Sequence, residues 1–386
     1  MSDRSETVGM LAAAVRRFTR EVLIPAEVQV EEEEKIPDSI ISQLKVLGLF
    51  GLSIPEEYGG LGLTPYEEAQ VVFEIGYASP VFRSYFGSSN GVGTLGLIID
   101  GTDEQRRKYL SRVASGDLMT SFCLSEPDAG SDVASIATKA VRDGDHYVIN
   151  GMKRFTTNSP HAGLFTVYAR TGPKEAGIDG ISAFLVEAGT PGIQVQKPHK
   201  KMGFVGNNVA DVIFENCRVP AATLLGGAEG VGFKTAMRAL DVARIHMSAV
   251  ATGLCDRLLD EGTRYAMQRE QFGKPIASFQ LIQAMLADSA TEALACRAMV
   301  EKVATMKSEG RNVTRESASL KYFTTEAVGR IADRMLQIHG GYGYIKAYPV
   351  ERLYRDVRIL RIYEGTSQIM QLIIAKQLLL EAEGKS

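Results

Sequence analysis

The sequence predicts a mainly α, α+β protein in which a small β domain lies between two helical regions. Three observations lead to this fold class. Up to about residue 118, apolar residues recur at spacings of three and four, the period of an amphipathic helix. Between about 119 and 226 the pattern changes to short alternating runs, which are typical of strands. From about 230 the helical period returns, so the order is helices, strands, helices.

The N-terminal region contains two clear helical stretches. These are "AAAVRRFTREVLIPAEVQ" at 12–29 and "DSIISQLKVLGLFGL" at 38–52, and Asp38 is the predicted N-cap of the second. The proline and glycines of "PEEYGGLGL", residues 55–63, then predict a turn-rich connection. We assign residues 1–118 to an N-terminal α-helical domain.

The middle region reads as a series of strands. Its alternating runs include "MTSFCLS", "HYVINGMKRFTT", "GLFTVYAR", "ISAFLVEA" and "ADVIFEN". Asn150-Gly151 lies between apolar and aromatic flanks, which predicts a hairpin with a type I′ turn, because both central residues of that turn need positive φ. We assign residues 119–226 to a middle β domain.

The C-terminal region returns to long amphipathic helices. In the stretch 316–341, Gly340-Gly341 are the expected C-cap residues. One apolar stripe precedes them, formed by Leu320, Phe323, Ala327, Val328, Ile331 and Met335. We assign residues 227–386 to a C-terminal helical domain.

Composition excludes several classes of function. The net charge of −3 and the pI near 6.1 give no basic face, so a nucleic-acid partner is not expected. The four cysteines form no C-x-x-C pair, so neither a metal site nor a disulfide framework is predicted. No run of 18 apolar residues and no secretion signal is visible, so we expect a cytoplasmic protein without a membrane partner.

One glycine motif needs separate treatment. "GVGTLG" at 91–96 fits the dinucleotide-binding pattern G-x-G-x-x-G. That pattern requires a buried strand directly before it, and "YFGSSN" is too polar and glycine-rich to be one. The context favours a tightly packed helix that contains glycines over a nicotinamide site.

Six short motifs together resemble the acyl-CoA dehydrogenase family over essentially the whole chain. They are "PEEYGGLGL" (55–63), "LSEPDAGSD" (124–132), "NGMKRFTTN" (150–158), "REQFGKPI" (269–276), "QIHGGYGY" (337–344) and "YEGTSQI" (363–369). The resemblance implies an acyl-CoA dehydrogenase fold with a barrel-like β domain and a C-terminal four-helix bundle. It also implies bound FAD, an acyl-CoA substrate, an electron-transfer flavoprotein partner and a homotetramer built as a dimer of dimers.

The resemblance also implies which residues hold FAD. Those near the flavin are expected on the middle domain, where many relatives carry tryptophan at the position of Phe155. Those near the rest of the cofactor are expected to reach a neighbouring subunit, with glycines that let backbone N–H groups approach it. The implied set is Phe122, Leu124, Ser125, Ser131, Phe155, Thr156, Thr157, Arg269, Gln271, Phe272, Gln280, Gln337, Ile338, His339, Gly340, Gly341, Thr366 and Gln368.

Glu364 matches the catalytic base of the family. Removal of an α-proton needs a stronger base than free glutamate, whose pKa is about 4.3, so we expect burial to raise the pKa of Glu364. Ala243 occupies the position where some branches carry their base, and alanine cannot accept a proton. The alternative is that Glu364 only caps the next helix.

Further residues match substrate-binding positions. Gly365 and Ser131 are expected near the substrate, and Asp241 and Arg244 are expected near its CoA part; a surface ion pair between the latter two is the alternative. Arg83 in "VFRSYFGSS" is similar to the arginine of glutaryl-CoA dehydrogenases, which pairs with the terminal carboxylate of the substrate, and a comparable arginine occurs in relatives acting on sulfinopropionyl-CoA. Arg83 either points into the pocket towards an ω-anionic group or points outward or ties down a neighbouring carboxylate.

The predicted reaction is α,β-dehydrogenation of an acyl-CoA thioester, with the β-hydride passing to flavin N5. Alternatives of the same fold are an acyl-CoA oxidase and a decarboxylating or desulfinating enzyme that acts on an ω-anionic acyl-CoA. A non-catalytic flavin or CoA scaffold is a further alternative. The acyl chain length, the electron acceptor and the pathway do not follow from these motifs.

Overall fold

The computed structural model describes residues 3–385, and its N-terminal part is helical. A short π-helical turn, Thr19–Leu23, joins the first two helices. Asp38 is the first residue of its helix and Pro37 is the N-cap, so the predicted cap was wrong. The helices are α1 (Asp3–Phe18), α2 (Ile24–Glu33), α3 (Asp38–Val46), α4 (Pro65–Ile75), α5 (Pro80–Gly87), α6 (Val92–Asp100) and α7 (Asp103–Ala114).

The "GVGTLG" motif lies at the start of α6, as the sequence context indicated. The element before it is the helix α5, not a strand. A Cβ on Gly93 would lie 2.5 Å from the Thr120 hydroxyl oxygen, so this glycine allows close packing against the strand region.

The middle region forms one sheet. Strand β1 (Thr120–Cys123) runs parallel to β4 (Leu164–Arg170), and β3 pairs antiparallel with β2 and β7. Every residue of β4 is buried, because it has neighbours along both edges and on both faces. The remaining strands are β2 (Lys139–Asp143), β3 (His146–Thr157), β5 (Ile181–Glu187), β6 (Ile193–Val195) and β7 (Val209–Pro220).

The hairpin predicted at Asn150-Gly151 was wrong. Strand β3 continues through both residues, and its register against β7 shifts between Ile149 and Gly151, which marks a bulge. The Asn150 side chain accepts a hydrogen bond from the Asn216 backbone N–H at 2.7 Å. A Cβ on Gly151 would lie 2.4 Å from the Thr138 hydroxyl oxygen, so glycine is required here by close approach to another chain segment.

The C-terminal part is again helical and confirms the predicted fold class. Helix α8 is central, because it packs against α10, α9 and α4. The predicted stripe on α10 is buried apart from Phe323, which is partly buried, and Gly340 is the C-cap. The elements are α8 (Gly232–Gln268), β8 (Glu270–Gln271), β9 (Lys274–Pro275), α9 (Gln280–Ser308), α10 (Thr314–His339), α11 (Pro349–Val357) and α12 (Ser367–Ala382).

A buried ion network joins the two helical regions. Glu27 on α2 is 1% exposed and accepts hydrogen bonds from Arg352 on α11 at 2.6 Å and from Arg257 on α8 at 3.4 Å. The Ser79 backbone N–H donates to the same carboxylate at 2.7 Å. Because a buried charge is costly without partners, this network fixes the position of α2 relative to α8 and α11. Within residues 3–385, no helix is both long and apolar enough to cross a membrane.

Candidate active site

Glu364 lies in the short loop that precedes α12. Its backbone has φ +55°, a conformation that is uncommon for residues other than glycine, and Gly365 follows with φ +100°. The N-cap of α12 is Thr366, whose hydroxyl accepts a hydrogen bond from the Ile369 backbone N–H at 3.2 Å. The loop therefore does not use the Glu364 carboxyl as a helix cap, and that alternative was wrong.

Glu364 as a residue is only partly buried, but one of its carboxyl oxygens is shielded from solvent. Its Oε2 atom is buried and has no hydrogen-bond partner among the described residues. Burial raises the pKa of Glu364, and the positive charges of Arg83, Lys321 and Arg244 oppose this rise without cancelling it. A carboxyl with these properties can exchange a proton with a bound molecule more readily than a solvated glutamate.

Two buried cations hold the backbone of this loop. The Lys321 ammonium on α10 donates to the Gly365 carbonyl at 2.6 Å, and the Arg244 Nε atom on α8 donates to the Glu364 carbonyl at 3.4 Å. The Ser367 hydroxyl donates to the Glu326 carboxylate at 2.6 Å and fixes the start of α12. The loop is thus tied to α8 and α10 at Glu364 and at the residues that follow it.

Asp241 and Arg244 form an ion pair at 2.9 Å, but the pair is not on the surface. Their side chains are 12% and 5% exposed. The Thr314 hydroxyl donates to the second oxygen of Asp241 at 2.7 Å. The alternative of a surface ion pair was therefore wrong in location, and Arg244 contacts the loop of the base.

Arg83 on α5 points into the protein. It is 7% exposed, its Nη1 atom lies 3.0 Å from the Met247 sulfur, and its Nε atom has no hydrogen-bond partner among the described residues. No described carboxylate lies within 4 Å of its guanidinium, so the outward and tied-down alternatives were wrong. Desolvation lowers the pKa of Arg83, and the Glu364 carboxylate opposes that shift.

The middle-domain residues predicted at the flavin, 122–125 and 155–157, form a wall that is adjacent to α5. The Asn158 amide, directly after β3, donates to the Ser84 and Tyr85 carbonyls at 3.0 and 2.9 Å. The start of the wall, residues 122–125, bonds to β3, because the Arg154 backbone N–H donates to the Ser125 carbonyl at 2.8 Å. The Lys153 ammonium donates to the Leu124 carbonyl at 3.1 Å. The motifs of 124–132 and 150–158 therefore meet beside the helix that carries Arg83.

Residues of the wall differ in their exposure to solvent. Phe155 is 61% exposed although it is aromatic, and its φ is +55°. The Thr156 side chain is 1% exposed and lies beside the buried Cys123 thiol, so it does not form part of this exposed surface. Phe122 packs edge to face against Tyr168 at 5.0 Å. The exposed ring of Phe155 can cover a flat heteroaromatic ring, so this part of the wall fits a flavin.

A second group of predicted residues surrounds a cleft of about 860 Å³. Phe272 there is 92% exposed, and the Arg269 guanidinium lies 5.3 Å from the Tyr342 ring centre. A Cβ on Gly340 or Gly341 would meet nothing within 4 Å, so the backbone is open to a ligand. The predicted residues in its lining are Arg269, Gln271, Phe272, Gln280, Ile338, His339, Gly340 and Gly341.

Three further predicted residues lie on the surface. Ser131, Gln337 and Gln368 are exposed.

Sequence reasoning missed Lys321, which is fully buried beside the base. A signal was present, because Lys321 lies next to the apolar stripe of α10 and is followed at helical spacing by Thr324, Thr325 and Val328.

Comparison with known proteins identifies the class. Residues 5–117, 121–217 and 230–379 match the N-terminal, middle and C-terminal domains of acyl-CoA dehydrogenase. The chain belongs to the acyl-CoA dehydrogenase family, FAD-dependent oxidoreductases that act on the CH–CH group of acyl-CoA.

Individual relatives cover nearly the whole chain. Acryloyl-CoA reductase (NADH) of Anaerotignum propionicum is 42% identical over 96% of this chain and 94% of its own. The caffeyl-CoA reductase-Etf complex subunit CarC of Acetobacterium woodii is 38% identical over 98% of this chain and 99% of its own. Butyryl-CoA dehydrogenase from Megasphaera elsdenii superposes with a TM-score of 0.93 at 33% identity, over 98% of this chain and 99% of that one.

The raised pKa of Glu364 predicts a stability effect. A group whose folded-state pKa is raised destabilises the folded protein as pH rises through that pKa. Glu364→Gln is therefore expected to raise the thermal midpoint at about pH 8 and to leave it nearly unchanged at about pH 4, where the carboxyl is largely protonated in both states. Differential scanning fluorimetry checks this, with Glu57→Gln at an exposed glutamate as the control. A lower midpoint for Glu364→Gln at pH 8 would contradict it.

Proposed function

We propose that this protein catalyses FAD-dependent α,β-dehydrogenation of an acyl-CoA thioester, with Glu364 as the base that removes the α-proton. One observation carries the proposal: Glu364 is partly buried, one of its carboxyl oxygens is enclosed without a hydrogen-bond partner, and the pKa of the carboxyl is raised. Backbone contacts from Lys321 and Arg244 fix its loop, so the base is oriented before substrate binds. The Glu364 backbone N–H is proposed to donate to the thioester carbonyl, which stabilises the enolate-like charge.

FAD is proposed to bind between the wall of the middle domain and the pocket of Glu364. When bound, FAD supplies the acceptor for the β-hydride, which no side chain can provide. Phe155 supports this placement through its exposed ring. The other residues proposed at the flavin are Phe122, Leu124, Ser125, Ser131, Thr156, Thr157, Thr366 and Gln368.

The large cleft is proposed to bind the far part of FAD from a neighbouring subunit. His339 lies 18 residues after Lys321 on the same helix, which corresponds to about 27 Å along α10. The cleft and the base of one chain are therefore far apart, while the exposed Phe272 and Leu281 are typical of a surface that another subunit covers. A homotetramer in which each FAD contacts two subunits accounts for both features.

The same residues serve either direction of the reaction. Two relatives are named as reductases of acryloyl-CoA and caffeyl-CoA, which favours reduction of an enoyl-CoA as a second candidate activity. In that direction the Glu364 carboxyl returns a proton to Cα, as microscopic reversibility requires. We propose an electron-transfer flavoprotein as the electron partner, because the CarC subunit is named as part of a complex with one.

Arg83 supports an acyl group with an anionic end. Its guanidinium is buried without a described carboxylate partner, and a bound ω-carboxylate or ω-sulfinate would supply one. Decarboxylation or desulfination of such a substrate is a further candidate reaction at this site. Arg83 by itself favours an anionic substrate and does not select between these reactions.

The base is tested by Glu364→Gln. The variant is expected to retain FAD and bind acyl-CoA, but to lose α-proton abstraction by on the order of 10²- to 10⁴-fold, because general-base catalysis is removed. Anaerobic bleaching of the flavin absorbance by a panel of acyl-CoA thioesters measures this loss. Glu381→Gln is the control, and near-normal turnover of Glu364→Gln would assign the base elsewhere.

The shared cofactor site is tested by Arg269→Ala. Loss of this guanidinium from the cleft is expected to lower both the FAD content and the tetramer fraction, because one side chain contributes to both. Absorbance near 450 nm and analytical ultracentrifugation measure the two quantities on one sample. Arg311→Ala, at an exposed arginine outside the cleft, is the control. Normal FAD content in a stable monomer would contradict the proposal.

The anionic acyl group is tested by Arg83→Met. We expect wild type to prefer glutaryl-, succinyl- or 3-sulfinopropionyl-CoA, and the variant to lose roughly 10- to 100-fold in kcat/KM for the preferred anion, the value of one charged hydrogen bond. Butyryl- and hexanoyl-CoA are the neutral controls, and Arg83→Lys keeps the charge without the bidentate geometry. A preference for neutral chains that Arg83→Met leaves unchanged would end this hypothesis and leave the family assignment intact.

A further inference from the structure

Lys321 is a buried lysine without a carboxylate in direct contact. None of its surface is exposed, and its ammonium donates to the Gly365 carbonyl at 2.6 Å. Among the described residues, no carboxylate lies within 4 Å of its Nζ atom. Burial of an ammonium is unfavourable unless other interactions compensate for the lost hydration. A lysine at this buried position therefore indicates a role beyond packing.

The loop that Lys321 contacts is conformationally constrained. Glu364 has φ +55°, which stores backbone strain for a residue with a side chain. A Cβ on Gly365 would lie 2.5 Å from the terminal methyl of Met370, so the chain has little room to rearrange toward α12. Such a loop keeps its conformation only when surrounding contacts hold it. The Lys321 bond, at 2.6 Å, is shorter than the Arg244 bond, at 3.4 Å.

Lys321 is also one of the charges that face Glu364. The others are Arg83 on α5 and Arg244 on α8, and Tyr363 and Glu326 lie on neighbouring segments. Desolvation lowers the pKa of Lys321 to about 8, against the effect of the Glu364 carboxylate. In return, the Lys321 charge lowers the pKa of Glu364. The charges of Lys321 and Glu364 therefore influence each other's pKa.

We propose that Lys321 is a positioning residue for the base: it holds the carbonyl that follows Glu364 and presents a positive charge to the Glu364 carboxylate. This inference rests on the proposed role of Glu364. The hydrogen bond fixes the direction from which the carboxyl approaches the substrate. The charge keeps a larger fraction of Glu364 ionised, and therefore able to accept a proton, at a given pH.

Substitutions can separate the two contributions. Lys321→Met keeps an apolar chain of similar length and removes both the hydrogen bond and the charge. Lys321→Gln removes the charge and keeps an amide donor for the Gly365 carbonyl. Thr324→Val is the matched control, because it removes a buried hydroxyl from the same helix that bonds only to α10 backbone carbonyls.

The direct test is an infrared pH titration of the Glu364 carboxyl in the FAD-loaded protein. The band is identified by its loss in Glu364→Gln. We expect its midpoint to move upward by on the order of 1 pH unit in both Lys321→Met and Lys321→Gln, because a nearby positive charge is lost. The midpoint in Thr324→Val is expected to stay at the wild-type value.

A second readout follows the proton transfer itself. Exchange of the acetyl-CoA methyl hydrogens with D₂O, followed by NMR, reports α-proton removal without hydride transfer, because this thioester has no β-carbon. Lys321→Met is expected to lose at least about 10-fold in the exchange rate, while Lys321→Gln recovers most of the wild-type rate at high pH. If Lys321→Met does not fold, Lys321→Gln still tests the charge.

The outcomes separate this inference from the function on which it rests. An unchanged midpoint in both lysine variants would overturn the role of Lys321, whatever their exchange rates. A shifted midpoint supports the role of Lys321 even if the wild-type protein shows no exchange. Absence of exchange in the wild-type protein would count against Glu364 as the base. A lower melting temperature without a shifted midpoint would mean that Lys321 only stabilises the fold.

Discussion

The structure depends on the balance between desolvation of one carboxyl group and the positive charges around it. Burial raises the pKa of Glu364, whereas close ion pairing would leave the carboxyl ionised but weakly basic. Arg83, Arg244 and Lys321 oppose the effect of burial, yet the net pKa remains raised. The carboxyl can therefore both ionise and bind a proton, which is what an α-proton acceptor needs.

This balance requires three helices from distant parts of the chain to meet. Arg83 comes from α5, Arg244 from α8 and Lys321 from α10, so the base is surrounded only when both helical regions pack together. The buried network around Glu27 supports that packing, because it bonds α2 to α8 and α11. The sheet adds the remaining wall, and Asn158 joins it to α5. The surroundings of Glu364 therefore depend on how the two helical regions and the sheet pack together.

The sequence predicted the order of helices and strands and the family, because those rest on periodicity and on six motifs. It failed where the outcome depends on a distant segment. Asn150-Gly151 has the composition of a turn, but pairing of β3 with both β2 and β7 converts it into a bulge. Arg83 could not be oriented from the sequence, since one short helix can present it to solvent or to the interior. The burial of Lys321 does not follow from the sequence, because lysine side chains in proteins usually face water.

The most direct test is a crystal structure of the FAD-loaded protein with a thioether analogue of its acyl-CoA substrate that cannot be oxidised. The account predicts a Glu364 carboxylate oxygen within about 3.5 Å of the carbon that corresponds to Cα, the separation of a reactive complex. It also predicts that the Lys321 bond to the Gly365 carbonyl is present. A Glu364 carboxyl turned away from Cα, with another basic side chain in its place, would contradict the account.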